Sequence, residues 1–320
     1  METGHHAQRS SAARVVLAGG SGFLGRRLTT HLREQGYVVT ILRRSTPTPD
    51  ELRDGVDHVT WDNATIGEWA RALDGARALV NVVGRSVDCR KTPAQRREIL
   101  TSRVDSCRVL GQALRTVANP PPVWVQSATA HIVGDPIPED TLCDDTTPPG
   151  EGLAPDIGIA WERAFHEGLL PGQRGIALRI SFVLGRGGGA LARLAKLTRL
   201  GLGGTVGHGR QWISWLHELD LVRLVQTAIE DDRYRGVVMA TAPHPVTNRE
   251  FMRALRKACH RPWSPPAPAF AVRLASRFLL DTDPELALLG RRCVPRRLVD
   301  EFGFRFAFEQ VDAALADLLG

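Results

Sequence analysis

Residues 15–28 read VVLAGGSGFLGRRL. An apolar run stops at a glycine cluster, and a stretch with helical spacing follows, FLGRRLTTHLREQG (23–36), closing at Gly36, a usual helix stop. Gly19, Gly22 and Gly25 form GxxGxxG at this strand-to-helix junction. In such a turn one glycine allows the tight bend, one lets backbone N–H groups approach a pyrophosphate, and one lets helix pack on strand. The helix N-terminus then faces the phosphates with the positive end of its dipole. The motif opens a βαβ unit, the context in which it has meaning. The turn formed by Gly19, Ser21, Gly22, Phe23, Leu24 and Gly25 therefore reads as a dinucleotide cradle. The competing reading is a glycine-rich turn that serves packing alone.

Working outward, apolar strands recur at 14–19, 37–44, 56–62, 76–84, 123–128, 175–185 and 236–241. Helical spacing occupies 66–75, 93–118, 158–170 and 218–231 between them. Strands alternating with helices imply the α/β class, a doubly wound parallel sheet of the NAD(P)-binding Rossmann type. The strands lack polar alternation, as expected for burial on both faces. From Val246 the pattern is helical and is broken by WSPPAPAF (263–270). This predicts a leader over 1–12, a dinucleotide-binding domain over 13–245 and a small, mostly helical substrate-side region over 246–320.

Composition narrows the function. The chain is 43% hydrophobic and 24% charged, ordinary for a protein that buries a core. It has no stretch of the ~20 apolar residues that a membrane span needs, and its polar N-terminus lacks the apolar core of a signal peptide. The net charge of +6 comes almost wholly from arginine, since Lys91, Lys196 and Lys257 are the only lysines. The arginines are scattered rather than clustered in a stripe, which argues against nucleic acid as a partner. Five cysteines, an odd number with no CxxC pair, point to free thiols in a reducing compartment, the cytoplasm. No His/Cys/carboxylate cluster has metal-site spacing. The expected partner is a small-molecule substrate; the oligomeric state is not legible.

The end of the second strand bears on which dinucleotide is bound. NAD-binding folds place an Asp or Glu there for the ribose 2′-OH, whereas this chain reads ILRRS, with Arg43 and Arg44. A carboxylate repels a 2′-phosphate and a guanidinium grips it, so NADP(H) is favoured over NAD(H). Asp62, closing the third strand, suits the adenine amino group or caps the helix that follows.

The spacing of GGSGFLG (19–25), NVVG (81–84) and SATAHIVG (127–134) resembles the extended and atypical short-chain dehydrogenase/reductases. TSRVDSCRVLGQAL (101–114), LGRGGGALARL (184–194), RLGLGGTVGHGRQWISWLHELD (199–220) and GRRCVPRRLVDEFGFRF (290–306) sharpen the resemblance. They are similar to the epimerase-type subfamily with a C-terminal domain of unknown function, over roughly residues 14 to 318. The resemblance implies NADP(H) binding. It also implies that the strand end Asn81, Val82, Val83 and Gly84, together with Glu98 and Arg103, lies near the cofactor, with Phe182 or Val183 beside the nicotinamide.

The chemistry departs from the broad superfamily. Short-chain dehydrogenases protonate the developing alkoxide with a Tyr and a Lys four residues later, the lysine lowering the tyrosine pKa. Here the two tyrosines, Tyr37 and Tyr234, are followed four residues on by Ile41 and Val238. The stretch where the dyad belongs, GLAPDIGIAWERAF (152–165), has neither residue type. The replacement candidates are Thr129, at the place of the superfamily's Ser/Thr, Ser127 on the same strand face, and His131, a proton source near neutral pH or a packed loop residue. Glu162 acts in catalysis or pairs structurally, and Trp161 belongs to the core or stacks on substrate. His217, Gln211 and Trp212 face the cleft or the interior, and Asp220 flanks a helix start. The glycines of 201–212 suit a mobile cover. Arg291, Arg292, Arg296 and Arg297 either meet an anionic group or are solvated surface. Two functions remain open, an NADP(H)-dependent oxidoreductase or epimerase on a carbonyl or sugar-like substrate, and an NADP(H)-binding protein without turnover.

Overall fold

Residues 14–43 build the first βαβ unit, in which β1 (Arg14–Ala18), α1 (Phe23–Glu34) and β2 (Val38–Arg43) follow one another. The computed structural model describes residues 13–48, 55–136, 138–275 and 283–320. The leader expected over 1–12 lies outside the described residues. β3 (Asp57–Thr60), β4 (Ala78–Asn81), β5 (Val123–Thr129), β6 (Arg174–Ile180) and β7 (Gly236–Ala240) complete a parallel sheet in the order β7-β6-β5-β4-β1-β2-β3. The order reverses between β4 and β1, and this is where a doubly wound sheet opens its ligand crevice.

Helices cover both faces. α1 and α5 (Glu218–Glu230) bury Leu28, Leu32, Leu224 and Val225 against Val15, Leu17, Val125 and Leu178. α2 (Pro93–Leu114) and α3 (Leu153–Gly168) bury Leu110, Trp161 and Phe165 against Val16, Leu79 and Trp124 on the other. The alternation along each strand sends odd- and even-numbered residues to opposite cores, as the pleat requires. A third core joins α4 (Gly189–Arg199), α6 (Asn248–Ala258) and α7 (Val311–Leu319) through Leu191, Trp215, Phe251, Leu255 and Leu315. Thr92 caps α2 and Thr247 caps α6, each in a reciprocal capping box.

Several elements differ from the sequence reading. The sixth strand is broken at Ser181, whose N–H donates to Ala240. Beyond it Phe182–Leu184 leaves the sheet and pairs in parallel with Trp215–His217. α4 emerges from the glycine run 187–189, which masks its apolar spacing. α3 begins at Leu153 rather than Gly158, because Pro155 falls in the first turn, where no donor is lost. Residues 66–75 give only a 3-10 helix, Glu68–Leu73. No helix among the described residues is long and apolar enough to cross a membrane.

Candidate active site

The glycine turn has the geometry of a phosphate cradle. Gly19 sits at φ +88°, and a Cβ there would lie 3.0 Å from the backbone of Val82 and Val83. Only glycine takes this conformation without strain. A Cβ at Gly25 would overlap the Gly19 carbonyl oxygen, so α1 packs directly on the turn. Gly22 differs from both, since its Cβ would meet nothing nearer than the Gly19 oxygen at 3.5 Å. Its open side is also the N-terminus of α1, where no side chain caps the helix. The unpaired N–H groups of that first turn are a ready anion site.

The other turn residues serve this frame. The Ser21 carbonyl accepts from Arg26 at 2.7 Å, and Leu24 packs on the first core. The Phe23 ring lies in the space that a Cβ at Gly185 or Gly188 would fill, so its side chain packs on the 184–189 loop.

At the end of β2, Arg43 is 6% exposed and donates to Ser45 Oγ at 3.3 Å, whereas Arg44 is exposed. The two arginines are thus not equivalent. Asp62 caps a turn rather than the helix, with Oδ1 accepting from Ala64 N–H at 2.9 Å and Thr65 N–H at 2.8 Å. The Thr65 hydroxyl and these amides hold its pKa below the usual carboxylate range.

Beyond β4, the Val82 N–H donates to Ala18 at 3.0 Å, which brings Val82–Gly84 beside the glycine turn. The Asn81 side chain is turned away from the crevice and fully buried. Its amide donates to Gln126 Oε1 at 2.9 Å and Ser106 Oγ at 3.2 Å, and its carbonyl accepts from Val83 N–H at 3.1 Å. Asn81 therefore positions the strand end through its side chain. The one signal for this network in the sequence is Gln126, a polar residue inside an apolar strand.

Arg103 lies against Gly84, with its guanidinium carbon 4.9 Å from the Trp161 ring centre and donating to the carbonyls of Ile99 and Arg85. It forms no ion pair among the described residues, and burial lowers its pKa to about 10. Glu98 instead pairs with Arg85 at 2.8 Å on the surface. The half-buried Phe182 ring packs on Phe251 at 5.9 Å beside the third core. Val183 packs on the first core.

β5 continues past Gln126, the register partner of Asn81, to bring Ser127 and Thr129 to the crevice edge. Ser127 Oγ is buried with no hydrogen-bond partner among the described residues. Thr129 Oγ1 accepts from the His131 N–H at 3.1 Å, leaving its own hydrogen to donate. His131 does not continue the strand face, because the chain turns into a 3-10 helix at Ala130. Burial and then the Arg291 charge push its pKa well below the usual value. Both causes favour the neutral ring over the imidazolium.

Two catalytic candidates are engaged elsewhere. Glu162 forms a buried two-pronged pair with Arg179, at 2.8 and 3.0 Å. His217 caps α5 through Nδ1, stacks on Phe308 at 3.9 Å and places Nε2 3.4 Å from Asp317, so it faces α7 and not the cleft. Trp161 belongs to the second core. On α3 a Cβ at Gly158 would already lie 3.0 Å from Ile132, so the helix packs closely on the 3-10 turn there.

The outer wall is held rather than loose. Val206 bridges to Ala267, and the Gln211 amide donates to the Val206 carbonyl at 3.0 Å, which ties down the 201–212 loop. Arg291, Arg296 and Arg297 pair with Asp135, Asp144 and Glu301, and Arg292 lies over the Trp212 ring at 4.5 Å. Asp220, in the first turn of α5 as expected of a residue flanking a helix start, accepts from Ala307 N–H at 2.7 Å and Phe308 N–H at 3.0 Å.

Residues 15–239 match the NAD dependent epimerase/dehydratase family. The chain belongs to this family. Residues 267–318 match a domain of unknown function, DUF1731. An epimerase family protein, the chloroplastic SDR39U1 homolog of Arabidopsis thaliana, is 32% identical over 98% of this chain and 88% of its own. The human epimerase family protein SDR39U1, solved with NADPH, is 30% identical with a TM-score of 0.83, covering 96% of this chain and 99% of that one. The nucleoside-diphosphate sugar epimerase of Corynebacterium glutamicum is 25% identical with a TM-score of 0.76, over 97% of this chain and 59% of that one. The fold is thus the NAD(P)-binding, Rossmann-like fold of epimerases and short-chain dehydrogenases.

Proposed function

We infer that the protein binds NADP(H) and acts as an oxidoreductase or epimerase on a small carbonyl or sugar-like substrate, without a Tyr–Lys dyad. The observation that carries this reading is the glycine turn, in which an uncapped helix N-terminus is uncrowded at Gly22 while Gly19 and Gly25 admit no side chain. The related human protein, solved with NADPH, supports it. The amides of 21–25 would hold the pyrophosphate, Arg44 with Arg43 behind it the 2′-phosphate, and Val82–Gly84 and Arg103 the ribose side. Bound there, the cofactor supplies hydride transfer. The chain's own contribution is Thr129, whose hydroxyl is oriented by the His131 amide to donate to a substrate oxygen, and Ser127, whose buried hydroxyl lacks a partner among the described residues. Hydroxyls of ordinary acidity make slow proton donors, and a slow enzyme is expected.

A second reading, cofactor binding without turnover, is favoured by α3, which has neither Tyr nor Lys and whose Glu162 is locked to Arg179. Titration with NADPH and NADH, followed by absorbance of the reduced nicotinamide with aldehydes, ketones, quinones and nucleotide sugars, separates the two. Substrate-dependent oxidation supports the enzyme, and tight binding with no oxidation or epimerisation supports the second reading. Replacing Arg43 and Arg44 together by Ala should weaken NADPH by about 10–100-fold and NADH by less than about 2-fold. Equal loss for both would overturn the 2′-phosphate assignment. Arg44→Ala alone should reproduce most of the effect.

A further inference from the structure

Two short parallel strands, Leu142–Cys143 and Arg292–Cys293, put Cys143 directly opposite Cys293. Both residues are fully buried. The backbone on each side is pinned. The Val294 N–H donates to the Cys143 carbonyl at 2.9 Å, and the Cys293 N–H donates to Ser214 Oγ at 2.8 Å. Ser214 Oγ in turn donates to the Arg291 carbonyl at 2.8 Å. Neighbouring strands lie about 4.7–4.9 Å apart, within the ~4.4–6.8 Å that a disulfide spans between Cα atoms. We propose that Cys143 and Cys293 are a reversible disulfide-forming pair, a modification site that covalently joins the epimerase module to the C-terminal module.

The position gives the bond a consequence. Cys143 belongs to the segment matched at 15–239 and Cys293 to the segment matched at 267–318. Two residues before Cys293, Arg291 grips the Gly134 carbonyl and Asp135 on the loop that follows Thr129 and His131. Linking the two cysteines fixes the outer wall of the crevice to its floor. The remaining cysteines lack this arrangement. Cys89 is half-buried, Cys107 donates to Gln126 Oε1 and is raised to about 12 by burial, and Cys259 is also raised by burial.

The thiols are differentiated for the chemistry. The Cys293 thiol donates toward Cys143, which with the nearby Arg291 charge lowers the Cys143 pKa, while Cys293 is raised. Cys143 is therefore the attacking thiolate. With a peroxide as oxidant, the Cys143 thiolate attacks one peroxide oxygen and breaks the O–O bond. This gives a sulfenic acid and, with a proton, one water. The Cys293 sulfur then displaces the hydroxyl as a second water, its own proton leaving with it, and the S–S bond forms. Two thiols lose two electrons and two protons, and the peroxide becomes two waters.

The test uses the whole purified protein treated with hydrogen peroxide, then denatured, alkylated and mapped by mass spectrometry. The expected product is a cross-linked 143–293 peptide pair, 2 Da lighter than the sum of its parts (about one mass unit per hydrogen lost), with Cys89, Cys107 and Cys259 still alkylated. Its thermal midpoint should rise by about 5 °C or more and return on reduction with dithiothreitol. In Cys293→Ala, shown to be folded by its circular dichroism, peroxide should instead leave Cys143 as a sulfenic acid that dimedone traps. The proposal is overturned if all five thiols remain alkylated, if a different pair cross-links first, or if Cys143 is oxidised past sulfenic acid in the unaltered protein without bonding to Cys293.

Discussion

Gly22 and Gly25 lie three residues apart in one turn, yet their surroundings assign them different work. A methyl group at Gly25 must displace the Gly19 carbonyl and the Gly20 backbone, neither of which has a flexible end to give way. Overpacking of this kind costs about 1–3 kcal/mol. A methyl group at Gly22 meets only the Gly19 oxygen, in ordinary contact at 3.5 Å, but it would stand where a pyrophosphate would approach the free amides of α1. Gly25→Ala is therefore expected to lower the denaturation midpoint and to lose dinucleotide binding with it. Gly22→Ala should fold with a midpoint near that of the parent while its NADPH affinity falls by about 10-fold or more. Chemical denaturation alongside a nicotinamide fluorescence titration checks both. If Gly22→Ala binds NADPH normally, the cradle is a packing turn and nothing more.

Among the elements, α3 shows best what a sequence cannot disclose. Its Glu162 stands in a WE pair that suggests an acid for catalysis, but the side chain is clasped by Arg179 of β6, in the next element. Removing one partner of a buried pair leaves the other charge uncompensated, at a cost of about 3–5 kcal/mol. Glu162→Gln should therefore lose stability by that order in urea titration. Glu162→Leu combined with Arg179→Met should recover much of it. A Glu162→Gln protein that is fully stable but inactive would return Glu162 to the catalytic list. The same distinction runs through the fold. The strands and the first helices were legible because burial on two faces writes itself as apolar runs, and because glycine marks the turn between β1 and α1. The break at Ser181 and helix α4 were not, since an apolar run continues across the break and glycines hide the helix start. At the site, the cradle was legible as a local pattern. The partners of Asn81, His217 and Phe182 were not, because each lies distant in sequence: Gln126, Asp317 and Phe251.

For the whole molecule, the C-terminal region is held to the sheet at two seams, and each contains a histidine kept neutral. His131 lies under Arg291, with burial first and that positive charge second lowering its pKa. His217 lies between α5 and α7, where burial lowers its pKa against the pull of Asp317. In the unfolded chain both rings titrate near the free value of about 6.5. As pH falls through that value, the unfolded chain takes up protons that the folded chain refuses. Stability contributed by the two rings is thus complete above about pH 7 and is lost as pH drops from ~6.5 toward the lower folded values. Each ring binds at most one proton, so each adds a slope of up to about 1.4 kcal/mol per pH unit. Asp220, at the second seam, works in the opposite sense. Burial raises its pKa, so the folded chain protonates it first, but this occurs toward the carboxylate range, below the histidine window. Urea unfolding at pH 7.5 and 5.5 should accordingly show a loss of about 1–2 kcal/mol at the lower pH. The pH dependence should shrink in His131→Gln and shrink further when His217→Gln is added. Because His217 also caps α5, its variant is judged by the slope with pH and not by the stability at one pH. A stability that stays level or rises between pH 7.5 and 5.5 would mean that the two rings accept protons in the folded state, and that the seams are open to water.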